Sequence, residues 1–231
     1  MTKINYDSSH KKPLKIAITG HSSGIGRQLD TILSLTESDW EVRGYSKSNG
    51  HNIADDNGDK IIQTLLDYDP DVVFNNAYYP KMQTKIMEHL YHKWADKSKV
   101  IINTGSISGH LDDVLDAESD YVKDKKDLQH FCVRNSFNYP WHNKTRLYNI
   151  SFGFVNTALV TNTTKDLKFN LMIDEEKAAW MLIDLIEEKP YHVVEQVVNC
   201  TFTEQDDMQD VFKTASRNIM KHIVRSNKNK T

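Results

Sequence analysis

The chain has 231 residues, of which 39% are hydrophobic and 26% charged, enough apolar surface to bury one large core and too much for wholesale disorder. Its formal net charge of −3 gives no overall field to hold nucleic acid or an anionic membrane. The two cysteines, Cys132 and Cys200, lie outside any CxxC or His/Cys spacing, so neither a disulfide framework nor a metal site is expected, and a reducing, cytoplasmic compartment fits.

Residues 1–12 form a polar segment without the apolar stretch of a secretory signal, and no apolar run approaches the roughly 18 residues of a membrane span. A strand is predicted at 14–19, a helix at 24–35, a strand at 40–45, a helix at 59–66 and a strand at 71–75. The pattern continues with a helix at 80–94, in which Ile86, Leu90 and Trp94 share one face, a strand at 99–103 and a helix at 121–133. Strands at 145–151 and 191–198 flank a helix at 174–186. Strands alternating with amphipathic helices predict a Rossmann-type doubly wound fold, three-layer α/β/α, with a mostly parallel sheet of six or seven strands. One domain is expected over 13–203, followed by a C-terminal helix and basic tail over 204–231, where Met208, Val211, Phe212, Ala215, Ile219 and Ile223 make one apolar stripe.

The first strand runs into Thr19-Gly20-His21-Ser22-Ser23-Gly24-Ile25-Gly26, which opens a helix. Glycines let the backbone turn sharply and approach a diphosphate, while the free N–H groups at the new helix attract its charge. A nicotinamide dinucleotide is the natural ligand. At the end of the second strand, Tyr45-Ser46-Lys47-Ser48 stands where an NAD-binding domain presents an acid to the ribose 2′-OH. Ser46 donates to a 2′-phosphate and Lys47 neutralises it, with Arg27 as a second cation, which favours NADP(H) over NAD(H).

Further motifs resemble the short-chain dehydrogenase/reductase family from about residue 14 to 200. Asn52-Ile53 sits where that family places an Asp-hydrophobic pair against adenine, and Asn75-Asn76-Ala77 resembles the motif after its fourth strand. Thr104-Gly105-Ser106 is similar to the turn bearing the active-site serine, Tyr121-Val122-Lys123-Asp124-Lys125 reproduces YxxxK, and Gly153-Phe154-Val155-Asn156-Thr157 resembles the segment that holds the carboxamide. A tyrosine hydroxyl, with a usual pKa near 10, needs a nearby cation to act as acid/base near neutrality, and Lys125 lies one helical turn after Tyr121. The resemblance implies that Lys125 also holds the nicotinamide ribose and that Ser106 orients the substrate oxygen. It implies Gly20, His21, Ser22, Ser23, Gly24, Ile25, Gly26, Ser46, Lys47, Asn52, Ile53, Asn76, Ala77, Tyr78, Thr104, Tyr121, Lys125, Val155 and Thr157 as the cofactor-binding set. The expected function is an NADP(H)-dependent oxidoreductase acting on a small-molecule carbonyl or alcohol, as a homodimer or homotetramer, with neither nucleic acid nor membrane as partner. The alternative is a catalytically inactive NAD(P)-binding regulatory or scaffold protein.

The chain departs from the family in several places. The stretch between Asn76 and Ser106 is about twenty residues shorter than the family has, and no asparagine occurs between Pro80 and Ser98, so the family's fourth catalytic residue is expected to be absent. Tyr78 replaces a glycine, which puts a side chain where the backbone would approach the cofactor, and Phe152 replaces a proline. Ser108 lies nearer the family's usual distance before the tyrosine, yet Ser106 aligns better with the preceding strand and is preferred. The segment between them and Tyr121 is acidic, with Asp112, Asp113, Asp116, Glu118 and Asp120. If it faces the site, it favours a cationic or polyhydroxylated substrate.

Overall fold

Six strands make the centre of the described molecule, the inner four buried on both faces as in parallel sheets and the two edge strands partly exposed. The computed structural model describes residues 13–35, 40–110, 120–139, 141–163, 172–187 and 195–198. In chain order the elements are β1 (Lys15–Thr19), α1 (Gly24–Leu35), β2 (Glu41–Tyr45), α2 (Asp59–Tyr68), β3 (Val72–Asn75), α3 (Met82–Lys93), β4 (Val100–Ser106), α4 (Asp120–Asn135), β5 (Arg146–Phe152), α5 (Ala158–Thr163), α6 (Glu175–Ile183) and β6 (Glu195–Val198). The strand order is β2-β1-β3-β4-β5-β6, with every pairing parallel. The predicted Rossmann-type fold is therefore present, with six strands among the described residues.

Two apolar layers sandwich the sheet. Ile16, Ile18, Val72, Phe74, Val100, Ile102 and Ile150 face Leu29 and Leu33 of α1 and Ala178, Ala179 and Leu182 of α6. On the opposite face, Ala17, Val73, Ile101 and Leu147 meet Ile61 and Leu65 of α2, Ile86 and Leu90 of α3 and Leu128 of α4. The period of two in the strands and 3.6 in the helices places these residues without conflict.

The side on which successive strands are added reverses at β1. The chain first pairs β2 on one side of β1, then crosses to pair β3 on the other. The crevice outside the carboxyl ends of β1 and β3 is the place where open α/β sheets bind ligands. Between β2 and α2 the chain makes tight turns instead of another strand, with Gly50 and Gly58 at positive φ, so Asn75-Asn76-Ala77 follows the third strand of the sheet.

The α3/α4 face of the sheet carries a row of amides. In register, Asn75 lies beside Asn103, Asn103 beside Asn149, and Asn149 beside Glu195. Asn75 Nδ2 donates to Asn103 Oδ1 at 2.8 Å and Asn149 Nδ2 to Glu195 Oε2 at 2.6 Å. Glu195 Oε1 also accepts from the Ser151 hydroxyl at 2.6 Å and faces His110 Nε2 at 3.2 Å.

Element bounds differ from expectation by a few residues, mostly at helix ends, and the short helix α5 had no sequence signal of its own. The segments 1–12 and 204–231, with the terminal stripe, lie outside the described residues, as do residues 191–194 and Cys200. Among the described residues no helix is long and apolar enough to cross a membrane.

Trp94 closes α3 and is 1% exposed, with its carbonyl accepting from the Thr145 hydroxyl at 2.7 Å. Trp94→Ala should lower the unfolding free energy by about 3–5 kcal/mol, since removing a buried ring leaves a cavity that the sheet edge cannot fill. A urea titration reads this as a lower midpoint at unchanged slope.

Candidate active site

The glycine loop after β1 is closed upon itself. Gly20 (φ +74°) and Gly24 (φ +55°) adopt left-handed backbone, and a Cβ on Gly26 would lie 2.2 Å from the Gly20 carbonyl oxygen. Gly20 N–H donates to the Tyr45 carbonyl at 2.7 Å, tying the loop to the end of β2. There the His21 ring lies against Gly44 so closely that a Cβ would fall 2.1 Å from it. Ser22 and Ser23 are exposed, Ile25 is buried, and α1 begins at Gly24 with no acidic residue in its first turn to compensate its positive end.

Thr19 joins the ends of two strands. Its hydroxyl oxygen accepts from the backbone N–H groups of Asn76 and Ala77, both at 3.0 Å, and donates to the Phe74 carbonyl at 3.4 Å. Asn76 donates from Nδ2 to the Thr19 carbonyl at 3.3 Å, while its Oδ1 accepts from the Thr104 hydroxyl at 3.1 Å. The carboxyl ends of β1, β3 and β4 are thus knit into one floor. Thr157 approaches from the far side, its methyl 3.4 Å from where a Cβ on Gly24 would stand, and its hydroxyl caps α5. Val155 is buried and bridges to Ile173.

At the end of β2, Ser46 is buried, its N–H bonded to Asn49 Oδ1 at 2.9 Å and its hydroxyl 2.7 Å from that of Ser48, while Lys47 is exposed. Arg27 is taken up by an ion pair with Glu175 at 3.1 Å, so it does not stand as the free second cation expected from the sequence. Asn52 works as a turn residue, bonding Asp55 at 2.9 Å and the Ala54 N–H at 3.2 Å, and Ile53 packs into the core.

Ser106 ends β4, and Tyr121 and Lys125 occupy the first two turns of α4. Burial pushes the Tyr121 hydroxyl above its ordinary pKa, and a hydrogen bond with Ser106 pulls it back. The Ser106 and Ser108 hydroxyls lie 2.8 Å apart, with Ser108 2% exposed beneath the other, so Ser106 is the serine brought to the tyrosine.

Lys125 is 5% exposed. Burial lowers its pKa to about 7, against a smaller upward pull from Asp124. Its ammonium donates to Gln83 Oε1 at 2.7 Å and to the Thr104 carbonyl at 2.9 Å, and sits 5.3 and 5.7 Å from the ring centres of Tyr78 and Tyr121. Tyr78 turns toward α4. Its hydroxyl donates to Asp124 at 2.9 Å, and its ring meets Tyr121 edge-on at 4.9 Å. Asp124 also accepts the Lys81 N–H at 2.8 Å, and burial raises its pKa in spite of these bonds.

Sequence reasoning missed Gln83 and Asp124. Each reads as an ordinary polar position in a helical stretch, and only their distances to Lys125 and Tyr78 reveal a role. The acidic residues Asp112, Asp113, Asp116 and Glu118 lie outside the described residues, and Asp120 begins α4.

The sequence matches no protein-family model and no curated protein. Solved structures match in three dimensions. A 3-alpha-hydroxysteroid dehydrogenase from a Pseudomonas species, complexed with NADH, has a TM-score of 0.66 at 16% identity, over 80% of this chain and 95% of its own. The chain has its fold. An oxidoreductase of the short chain dehydrogenase/reductase family from Burkholderia thailandensis gives 0.61 at 15% identity, over 82% and 91%. An NADPH-dependent 3-quinuclidinone reductase from Rhodotorula rubra gives 0.56 at 16% identity, over 81% and 90%. This fold puts the glycine loop, Ser106, Tyr121 and Lys125 at the carboxyl ends of the strands.

Lys125 makes stability depend on pH in a defined direction. Its pKa falls from 10.5 when unfolded to about 7 when folded, so between those values the unfolded chain holds a proton that the native one has released. The cost of burying the charge is full below pH 7 and disappears as pH rises toward 10.5. Lys125→Met should therefore gain more stability over wild type at pH 6 than at pH 9, measured by denaturant titration. A gain that is equal at both would contradict the buried charge.

Proposed function

We propose that the chain is an NADP(H)-dependent oxidoreductase of the short-chain dehydrogenase/reductase kind, acting on a carbonyl or alcohol. The observation that carries this reading is the convergence of the Tyr121 hydroxyl, the Ser106 hydroxyl and the buried Lys125 ammonium beside a glycine loop that excludes side chains. The nicotinamide, when bound, supplies or accepts the hydride.

The chain's own residues divide the remaining work. Gly20, Gly24 and Gly26 let the diphosphate approach backbone N–H groups at the start of α1. Asn76, Ala77 and Thr104, which form the floor beside the glycine loop, would hold the nucleoside, with Thr157 close to Gly24. Tyr121 gives a proton to the substrate oxygen during reduction and takes it back during oxidation. The Ser106 hydroxyl donates to that oxygen as negative charge develops on it. Lys125 favours the ionised form of Tyr121 and presents its remaining N–H to the ribose hydroxyls.

Ser46 and Lys47 support NADP(H) over NAD(H), because neither is an acid that would repel a 2′-phosphate. NADPH should bind at least about tenfold more tightly than NADH, and Lys47→Ala should remove most of that preference, as one charge-assisted phosphate contact is worth roughly 1.5–3 kcal/mol. Fluorescence titration of both nucleotides measures it, and equal affinities would sink the NADP assignment.

A second reading, a nucleotide-binding protein without turnover, draws support from Tyr78, which fills the place of the motif's glycine and packs on the tyrosine meant to act. Tyr121→Phe separates the two. For an enzyme it should abolish carbonyl-dependent NADPH oxidation while leaving NADPH affinity within about twofold, since the lost hydroxyl acts on the substrate oxygen. A wild-type protein inert toward a broad panel of aldehydes, ketones and sugars would favour the binder.

A further inference from the structure

Gln83 stands on the first turn of α3, 3% exposed, and both polar atoms of its side chain are engaged. Its Nε2 donates to the carbonyls of Asn75 at 2.7 Å and Thr104 at 3.0 Å, and its own backbone carbonyl accepts from Asn75 Nδ2 at 2.9 Å. Two carbonyls have no proton to offer, so the amide has one possible orientation, with Oε1 facing the Lys125 ammonium at 2.7 Å.

We propose that Gln83 is a positioning residue for Lys125, holding the ammonium in place and in its charged form beneath the Tyr121 ring. This rests on the oxidoreductase reading of the site. The stretch from Pro80 to Ser98 holds no asparagine, and the glutamine bonds the lysine directly. A buried ammonium needs acceptors on its N–H groups. Here α3 supplies Gln83 Oε1 and β4 supplies the Thr104 carbonyl. The titratable groups around it are Asp124 and Tyr121 on its own helix and Tyr78 on the segment leading into α3. Asp124 is engaged by Tyr78 and the Lys81 N–H, which leaves Gln83 as the side-chain acceptor nearest the charge.

The residue type follows from the same contacts. A carboxylate here would hold the lysine charged but would confront two carbonyl oxygens with no proton to give them. An apolar side chain would leave the two carbonyls and the ammonium short of a partner. Glutamine meets both demands with one planar group.

The test uses the full chain with 13C-labelled lysine, the Lys125 signal being assigned through Lys125→Arg and its titration followed by NMR without any turnover. The wild-type midpoint should lie near 7. Gln83→Leu should lower it by about one pH unit and Gln83→Glu should raise it by about one unit or more, because the first removes an acceptor and the second adds a charge. In the turnover assay the high-pH limb of kcat/KM should move in the same directions, and Gln83→Leu should lose at least tenfold in kcat/KM. Circular dichroism melts establish that each variant folds. Gln83→Asn, which keeps the amide but is one methylene too short to span both partners, replaces either variant that does not, and should move the midpoint downward. Folded variants whose Lys125 midpoint stays at the wild-type value overturn the proposal. A wild type with no carbonyl-dependent turnover would instead remove the oxidoreductase reading while the NMR titration still judges Gln83.

Discussion

The ammonium of a lysine only 5% exposed in an α/β sandwich has to be solvated by the protein, and much of this molecule's carboxyl edge is arranged to do it. The Thr104 carbonyl lies just past Asn103, where the β3–β4 pairing ends while β4 continues beside β5 to Ser106. Gln83 reaches the same place because α3 begins close behind β3, where Asn75 pins its backbone. Two tyrosine rings complete the enclosure. The charge costs stability, and Gln83 Oε1 and the Thr104 carbonyl reduce that cost by accepting its N–H groups. Structure and chemistry at this edge are consequences of one constraint.

The second organising feature is the fit of the glycine loop against the ends of β2 and β3. Thr19 bonds two successive N–H groups of the β3 exit, and Gly44 accommodates the ring of His21 only because it lacks a side chain. These contacts are made between residues far apart in sequence. They place the α1 N-terminus over the crevice where β2 and β3 diverge from β1. The exit of β2 is held as firmly, Ser46 being tied to Asn49 and Ser48, so the exposed Lys47 projects from a fixed turn.

The fold was legible because its signals are local. Apolar runs in β1, β3 and β4 and the periodicity of α1 to α4 are short-range properties, and they locate the elements to within a few residues. The glycine loop was legible for the same reason, since strand, glycines and helix are contiguous. Gln83 and Asp124 were not, because a polar residue on a helix acquires meaning only from what lies across from it. Arg27 was misread in the other direction. A cation next to the glycine loop suggested a phosphate, but α6, about 150 positions away, brings Glu175 to it. Tyr78 shows the same limit: its place in the motif points toward the cofactor, whereas its hydroxyl is drawn to Asp124 on α4.

The row of Asn75, Asn103, Asn149 and Glu195 bears on how the sheet assembles. Parallel strands pair late, between segments distant in sequence, and apolar strands of similar composition tolerate sliding past one another. A slip of β4 by one position would turn Asn103 out of its amide row and into the oily layer beneath α1 and α6, where it would find no hydrogen-bonding neighbour. Each amide thus acts as a checksum on the alignment of the strands beside it.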